Sequence, residues 1–458
     1  MKKKITITDV VFMNVSALLG VRWFSTAAQY GASAIVLWIL AAFLFFVPLS
    51  LICAEFGAKY PEAEGGITDW IKVVLGERTA FFASWFYLIN NLFYYPALLT
   101  FTGIAFSFTF NPNLGGNKYY IAIFVVVVFW VGTLITIQGV RATAWIAKIG
   151  GIFGNILPII IILILAAVSA FVLKRPIPTD FSFPAWIPHF NAQNLIFLST
   201  LSFAMAGVEI SSAFVRDMDN PKKNYPKAIF ISAILIAAAY ILGTVALNLV
   251  IAPGKIGADN GILQLIYIVT QSMHASWIGT VVCFLIFFSG VTGVVVWIIG
   301  AIRMFTEGND EKFIPKFLKE ENKNGVPGKA LIVQAIIITI IMIITTVMPS
   351  VQSIYMTLVL MSTMFMFITY FILLIAFIKM KFSSKDASSE ELFEIPGKKT
   401  GALIATLVAL ASVVVTIVIP IVSPTGNFIA YESQIIGDPI LFAIIGWLIY
   451  RFKAKKHF

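Results

Sequence analysis

Apolar runs of membrane-spanning length recur from one end of this 458-residue chain to the other. About 20 apolar residues cross the hydrocarbon of a bilayer as one helix, and backbone that cannot pair internally is excluded there. Only 12% of the residues are charged, about half of what a soluble domain carries. Sustained strand alternation is absent from the sequence, which removes a membrane barrel. The reading is an all-α integral membrane protein of about twelve transmembrane helices. Its first segment is too long, and too lacking in a small-residue cleavage site, to be a removable signal.

Charge sets the orientation. With an even helix count, one face collects residues 2–4, the loops near 59–78, 139–148, 216–227, 303–329 and 379–399, and the tail from Arg451. That face holds 27 of the 32 Lys and Arg residues, the other face four, and Arg22 lies inside the first span. Such a bias places both termini in the cytoplasm. The formal charge of +10 is then topology plus contact with anionic membrane lipids, not a nucleic-acid footprint. Cys53 and Cys283 lie in apolar runs, and His189, His274 and His457 are scattered. No metal, no cofactor and no enzyme chemistry is expected from such a set.

The stretch 201–228 is the sharpest signal. It begins as an apolar helix, loosens at Ala204-Met205-Ala206-Gly207, and carries Glu209 deep in an apolar span before a basic, proline-marked loop. A carboxyl at the bilayer centre costs about 2.5–3.5 kcal/mol on insertion scales, so it needs a partner or a task. Small residues that interrupt a membrane helix near the midplane mark transporter sites, where unwound backbone faces the substrate. The first span has a counterpart at Leu19-Gly20-Val21-Arg22-Trp23-Phe24-Ser25-Thr26. Arg22 fits either an ion pair with Glu209 or direct contact with substrate, and the two are compatible.

Other features carry a plainer reading beside a sharper one. Glu55 ends the second helix, and Glu62-Ala63-Glu64-Gly65-Gly66 turns the chain before the amphipathic stretch Ile67–Leu75, as loop or gate. Lys148 fits a snorkelling lysine near the cytoplasmic end of the fifth helix or a fixed cation beside the first. Ser289-Gly290-Val291-Thr292-Gly293 permits close helix packing, and Trp297 after it packs or covers a substrate. Tyr370 lines the cavity or bonds a neighbouring helix. The segment 173–191, rich in proline, separates two five-helix sets, 1–172 and 192–380, each opening with an interrupted helix. Five helices reverse orientation, so two inverted repeats fit, with 381–458 holding a loop, two more helices and a short basic tail.

With GVEISS at 207–212, DMDNPKKNYPKA at 217–228, EGG and Trp70 at 64–70, NKNGVP at 322–327 and EIPG at 394–397, the chain resembles the amino acid–polyamine–organocation superfamily. Within it the nearest likeness is to the bacterial glutamate/GABA antiporter family. The resemblance implies an exchanger with alternating access in the bacterial cytoplasmic membrane. The substrate carboxylate would meet backbone amides near Gly20, Arg22, Trp23, Ser25 and Thr26, and its ammonium the carbonyls near Phe203 and Gly207. Phe203 lies where some relatives carry a substrate-stacking tryptophan. Glu209 falls on a gating, pH-responsive glutamate, Trp297 and Tyr370 on aromatics of the path, and Lys148 on a lysine that replaces sodium.

Two departures bear on the substrate. The first helix reads LGVRWFST, without the usual glycine-rich signature and with Arg22 added, and the chain stops soon after its twelfth helix, without a long C-terminal plug. The resulting expectation is a sodium-independent amino acid antiporter acting on small amino acids or amines, such as an amino acid and its decarboxylation product. Glutamate/GABA, tyrosine/tyramine and agmatine/putrescine pairs all stay open. A proton-coupled uptake permease is the rival.

Overall fold

The structure, a computed structural model, describes residues 6–60, 66–138, 156–188, 192–207, 209, 218–309, 313–383, 393–422 and 436–454. In place of one first span stand two short helices, α1 (Ile7–Leu18) and α2 (Arg22–Ala28). There follow α3 (Ser33–Lys59), α4 (Ile67–Leu75), α5 (Glu77–Ser107), α6 (Lys118–Ile137) and α7 (Leu157–Val172). The second half contains α8 (Ala192–Ala204), α9 (Pro221–Asn248), α10 (Gly261–Ser272), α11 (Ser276–Glu307) and α12 (Gly328–Thr345). The chain continues through α13 (Val351–Ser383), α14 (Lys398–Val422) and α15 (Asp438–Ala454). Among the described residues seven helices (α3, α6, α9 and α11 to α14) are long and apolar enough to cross a membrane.

Local sequence explains where these helices start and stop. Thr6 opens α1 with a capping box: the Asp9 amide donates to Thr6 Oγ1, and the Thr6 amide donates to Asp9 Oδ2 at 2.8 Å, satisfying two otherwise orphaned donors. Asn117 caps α6 by accepting from the amides of Tyr119 and Tyr120. α1 ends where Leu19 turns to extended backbone (φ −68°, ψ 118°), and α8 ends three residues before Gly207, whose φ is +113°. That conformation is open to glycine at little cost and strained for other residues. The interruption expected at 204–207 is therefore real backbone geometry, not only a patch of small residues.

The interior is built on α5 and α13, which pack along each other, with α11 on the other side of α5. The most apolar window of α13 is 72% buried, against 28% for that of α14, so α13 is a central strut and α14 faces outward. α5 is less apolar because Asn90, Asn91, Tyr94 and Tyr95 interrupt it, yet all but Tyr94 are buried. Gly290 of α11 rests on α5: a Cβ there would lie 1.9 Å from Thr102 Oγ1. The small-residue run at 289–293 thus gives the close packing expected of it.

At the end of the bundle reached by the close of α3, two charges are fully buried. Lys381 Nζ of α13 donates to Glu55 Oε1 of α3 at 2.7 Å, and the Ile395 amide donates to Glu55 Oε2 at 2.9 Å. Glu394 completes the cluster at 3.5 Å from the same ammonium. The EIPG segment, whose role the sequence left open, is pinned here to both α3 and α13. Breaking a buried pair costs about 3–5 kcal/mol because one charge is left uncompensated. Lys381→Met is expected to lower the detergent melting temperature markedly, and Glu55→Gln with Lys381→Met to recover part of the loss. Equal stability of Lys381→Met and the parent in thermal unfolding would remove this role.

Candidate functional site

Two short cavities of about 120 and 60 Å³ meet at the helix breaks. They share Leu18, Arg22, Trp23, Tyr94 and Trp297 as walls. Gly20, Ser289, Gly290 and Gly293 line the first, and Phe203, Gly207, Glu209, Asn90 and Asn91 the second. Roughly 10–15 Å³ of such space holds one water, so the pair holds on the order of a dozen waters or one small molecule.

Arg22 is 4% exposed and begins α2 at the cavity wall. Its guanidinium carbon lies 4.4 Å from the Trp23 ring and 4.9 Å from the Tyr94 ring. Each such contact is worth about 0.5–2 kcal/mol. Phe203 meets Trp23 edge-on at 5.8 Å and Tyr94 at 6.2 Å, and Tyr94 also touches Trp297. Two aromatic rings, Trp23 and Tyr94, therefore hold the cation, with Phe203 and Trp297 packed against them, and its Nη1 has no hydrogen-bond partner among the described residues. Of the two partners left open for Arg22, Glu209 is not in contact: no ion pair within 4 Å joins them among the described residues. Ring faces take the place of the acid.

Glu209 is instead held by hydroxyls. Tyr370 donates to Oε2 at 2.9 Å, and Tyr87 approaches Oε1 at the long distance of 3.5 Å. The Tyr370 oxygen also accepts the Gly207 amide at 3.0 Å. Tyr370 thus stands behind the cavity, fixing both the acid and the break, and does not line it. Ser25 and Thr26, expected at the substrate, also lie off the cavity. Ser25 Oγ accepts the Ile262 amide of α10 at 2.8 Å, which satisfies an unpaired donor in the first turn of that helix. Lys148 lies outside the described residues.

The sequence reading missed two contributors. Tyr87, Asn90, Asn91 and Tyr94 are spaced i, i+3, i+4, i+7, so they form a polar stripe on one face of an otherwise apolar helix. That spacing was available in the sequence. Tyr240 gave no such signal. Its hydroxyl lies 2.6 Å from the Leu18 carbonyl and 3.2 Å from that of Ala204, so it bridges the ends of α1 and α8. Trp38 stacks on its ring at 4.1 Å and is itself held by Thr244.

Removing that hydroxyl strands two buried carbonyls, at about 1–3 kcal/mol for each group left unsatisfied. Tyr240→Phe is expected to lower thermal stability in detergent while Trp38→Phe, which spares the hydroxyl, costs less. A Tyr240→Phe protein as stable as its parent would show that the bridge contributes nothing.

Comparison with known proteins agrees with this architecture. The profile of the family described as amino acid permease matches residues 5–450. An uncharacterized transporter of Legionella pneumophila is 30% identical, over 100% of this chain and 97% of its own length. A glutamate/gamma-aminobutyrate antiporter of Lactococcus lactis is 25% identical, over 99% and 92%. A probable agmatine/putrescine antiporter of the same species is 24% identical, over 99% and 96%. A helical membrane chain broken at Gly20 and Gly207, with this match along almost its whole length, belongs to the amino acid permease family.

Proposed function

We propose that the chain is an alternating-access amino acid antiporter of the bacterial cytoplasmic membrane, working without sodium. The observation that carries this reading is the cavity at the two helix breaks, walled by the Glu209 carboxylate and by the Arg22 guanidinium, whose Nη1 has no hydrogen-bond partner among the described residues. A zwitterion fits it. The substrate carboxylate goes to the Arg22 guanidinium and the amides beside Gly20, where a charge-assisted bond is short and strong. The ammonium goes to backbone carbonyls freed between Phe203 and Gly207, with Glu209 close by. Phe203, Trp23 and Trp297 supply the apolar walls.

Exchange of an amino acid for its decarboxylation product is supported by a relative named as a glutamate/gamma-aminobutyrate antiporter, and exchange itself also by one named as a probable agmatine/putrescine antiporter. Arg22, with no acid paired to it among the described residues, disfavours a dicationic substrate and favours a side chain that is acidic or polar. Inverted repeats at 1–172 and 192–380 and cytoplasmic termini follow from the span pattern and charge bias. Glu209 acts as the gating or proton-linked group, and Lys148 as the fixed cation in place of sodium. Proton-coupled uptake is the second reading, favoured by a Glu209 held by hydroxyls and, among the described residues, by no cation within 4 Å.

Counterflow in proteoliposomes tests the proposal. Uptake of a labelled amino acid is expected only into vesicles loaded with a partner from among glutamate, GABA, tyrosine, tyramine, agmatine and putrescine. Equal uptake into empty vesicles under an imposed pH gradient would overturn exchange in favour of proton coupling. Arg22→Ala removes a charged bond of about 1.5–3 kcal/mol, roughly 10–150-fold in apparent affinity, and is expected to change substrate preference. Glu209→Gln is expected to alter the pH profile of counterflow while leaving the melting temperature near that of the parent.

A further inference from the structure

Beyond the central cavity, the end of the bundle opposite the Glu55–Lys381 cluster holds a wide vestibule of about 650 Å³. It is walled by the loop before α10, by the start of α13 and by Gln29 at the end of α2. At its edge Asp259 is 6% exposed. Apart from its own backbone amide, Asp259 has no hydrogen-bond or ion-pair partner among the described residues. Burial pushes its carboxyl above the ordinary range, the mark of an acid that lacks a counter-charge. The loop is wound tightly enough that a Cβ on Gly257 would lie 2.2 Å from Asn260 Oδ1 and 3.1 Å from Asp259 Oδ1. Two acceptor oxygens therefore converge on one spot, and Asn260 Oδ1 is buried without a partner.

The polar groups continue inward. Tyr355, fully buried with an unpartnered hydroxyl, stands where the charges of both Asp259 and Arg22 reach it. Thr26, equally unpartnered, is its neighbour. The vestibule wall is also tied to the helix that carries Arg22. Gln29 Nε2 donates to the Ile256 carbonyl at 2.8 Å, and Ile262 donates its amide to Ser25.

We propose that this vestibule is a second recognition site, at which Asp259 and Asn260 receive the primary ammonium group of an incoming amino acid or amine before it reaches Arg22. An ammonium brings three donors and no acceptor, which matches the acceptor oxygens of Asp259 and Asn260 on a rim that also carries the Lys255 ammonium. Tyr355 and Thr26 form the floor between this site and the central cavity. The Gln29 and Ser25 bonds transmit an occupant's pull to α2. The role as a first station rests on the transport reading above; the binding itself does not.

Thiol labelling tests it. Both native cysteines are buried, so Gln352→Cys, on the exposed vestibule rim, reports alone on the purified full-length protein. A cationic methanethiosulfonate is expected to react several-fold faster than an anionic one. n-Butylamine is expected to slow labelling, while butyrate and matched potassium chloride leave it unchanged. Asp259→Asn should abolish both effects and Asp259→Glu should restore them, which separates loss of charge from misfolding. Equal reagent rates, protection by potassium chloride equal to that by n-butylamine, or protection that survives Asp259→Asn would each overturn the site. Counterflow that fails while n-butylamine still protects would sink the transport reading and leave this site standing. Working counterflow without protection would sink this site alone.

Discussion

Interrupting two helices in the middle of an apolar bundle leaves backbone carbonyls and amides without helical partners. In hydrocarbon each such group costs several kcal/mol unless something else satisfies it. The rest of the structure depends on how these groups are met. Tyr240 spans both carbonyl ends, at Leu18 and Ala204, with one hydroxyl. Tyr370 accepts the Gly207 amide and donates its own hydroxyl hydrogen bond to Glu209. The remaining backbone at the breaks faces a cavity, the setting in which irregular backbone at membrane depth is tolerated. Site and fold are thus one arrangement: the same unpaired groups that threaten stability are those available to a ligand.

Four buried charged groups are handled in three ways. Lys381 and Glu55 neutralise each other, with an amide completing the acid's shell. Glu209 is met by neutral hydroxyls. Arg22 is met by aromatic faces, which attract a cation without quenching its hydrogen-bonding capacity. Only the first arrangement is closed. The other two leave a charge able to respond to whatever enters, which is why they lie at the cavity and the closed pair lies at the end of the bundle.

Much of this was legible in the sequence. Gly20, Gly207 and Glu209 announced themselves because a glycine, a kink or an acid in an apolar run contradicts its surroundings. The amphipathic helix Ile67–Leu75 and the small-residue face at Gly290 follow from spacing alone. Partnerships were harder. For Arg22 the sequence left Glu209 and a substrate open as partners, whereas its aromatic neighbours Trp23 and Tyr94 carry no charge to betray them. Glu55 and Lys381 are 326 residues apart and looked like one helix end and one loop lysine. Tyr240 looks like any tyrosine in an apolar helix until the fold brings two carbonyls to its hydroxyl. Ser25 and Thr26 had the right residue types at the right break, but the turn of α2 aims them at α10 and at the vestibule floor.

α13 ties these levels together. At 1.5 Å per residue its 33 residues make a rod of about 50 Å. Tyr355, Tyr370 and Lys381 sit on it at about 100° per residue, which places all three within a sector of roughly 80° around its axis. One stripe of one helix therefore touches the vestibule floor, the acid at the breaks and the buried ion pair. Because the three share one helix, a twist of that rod about its own axis would swing all three side chains the same way, as cams on one shaft.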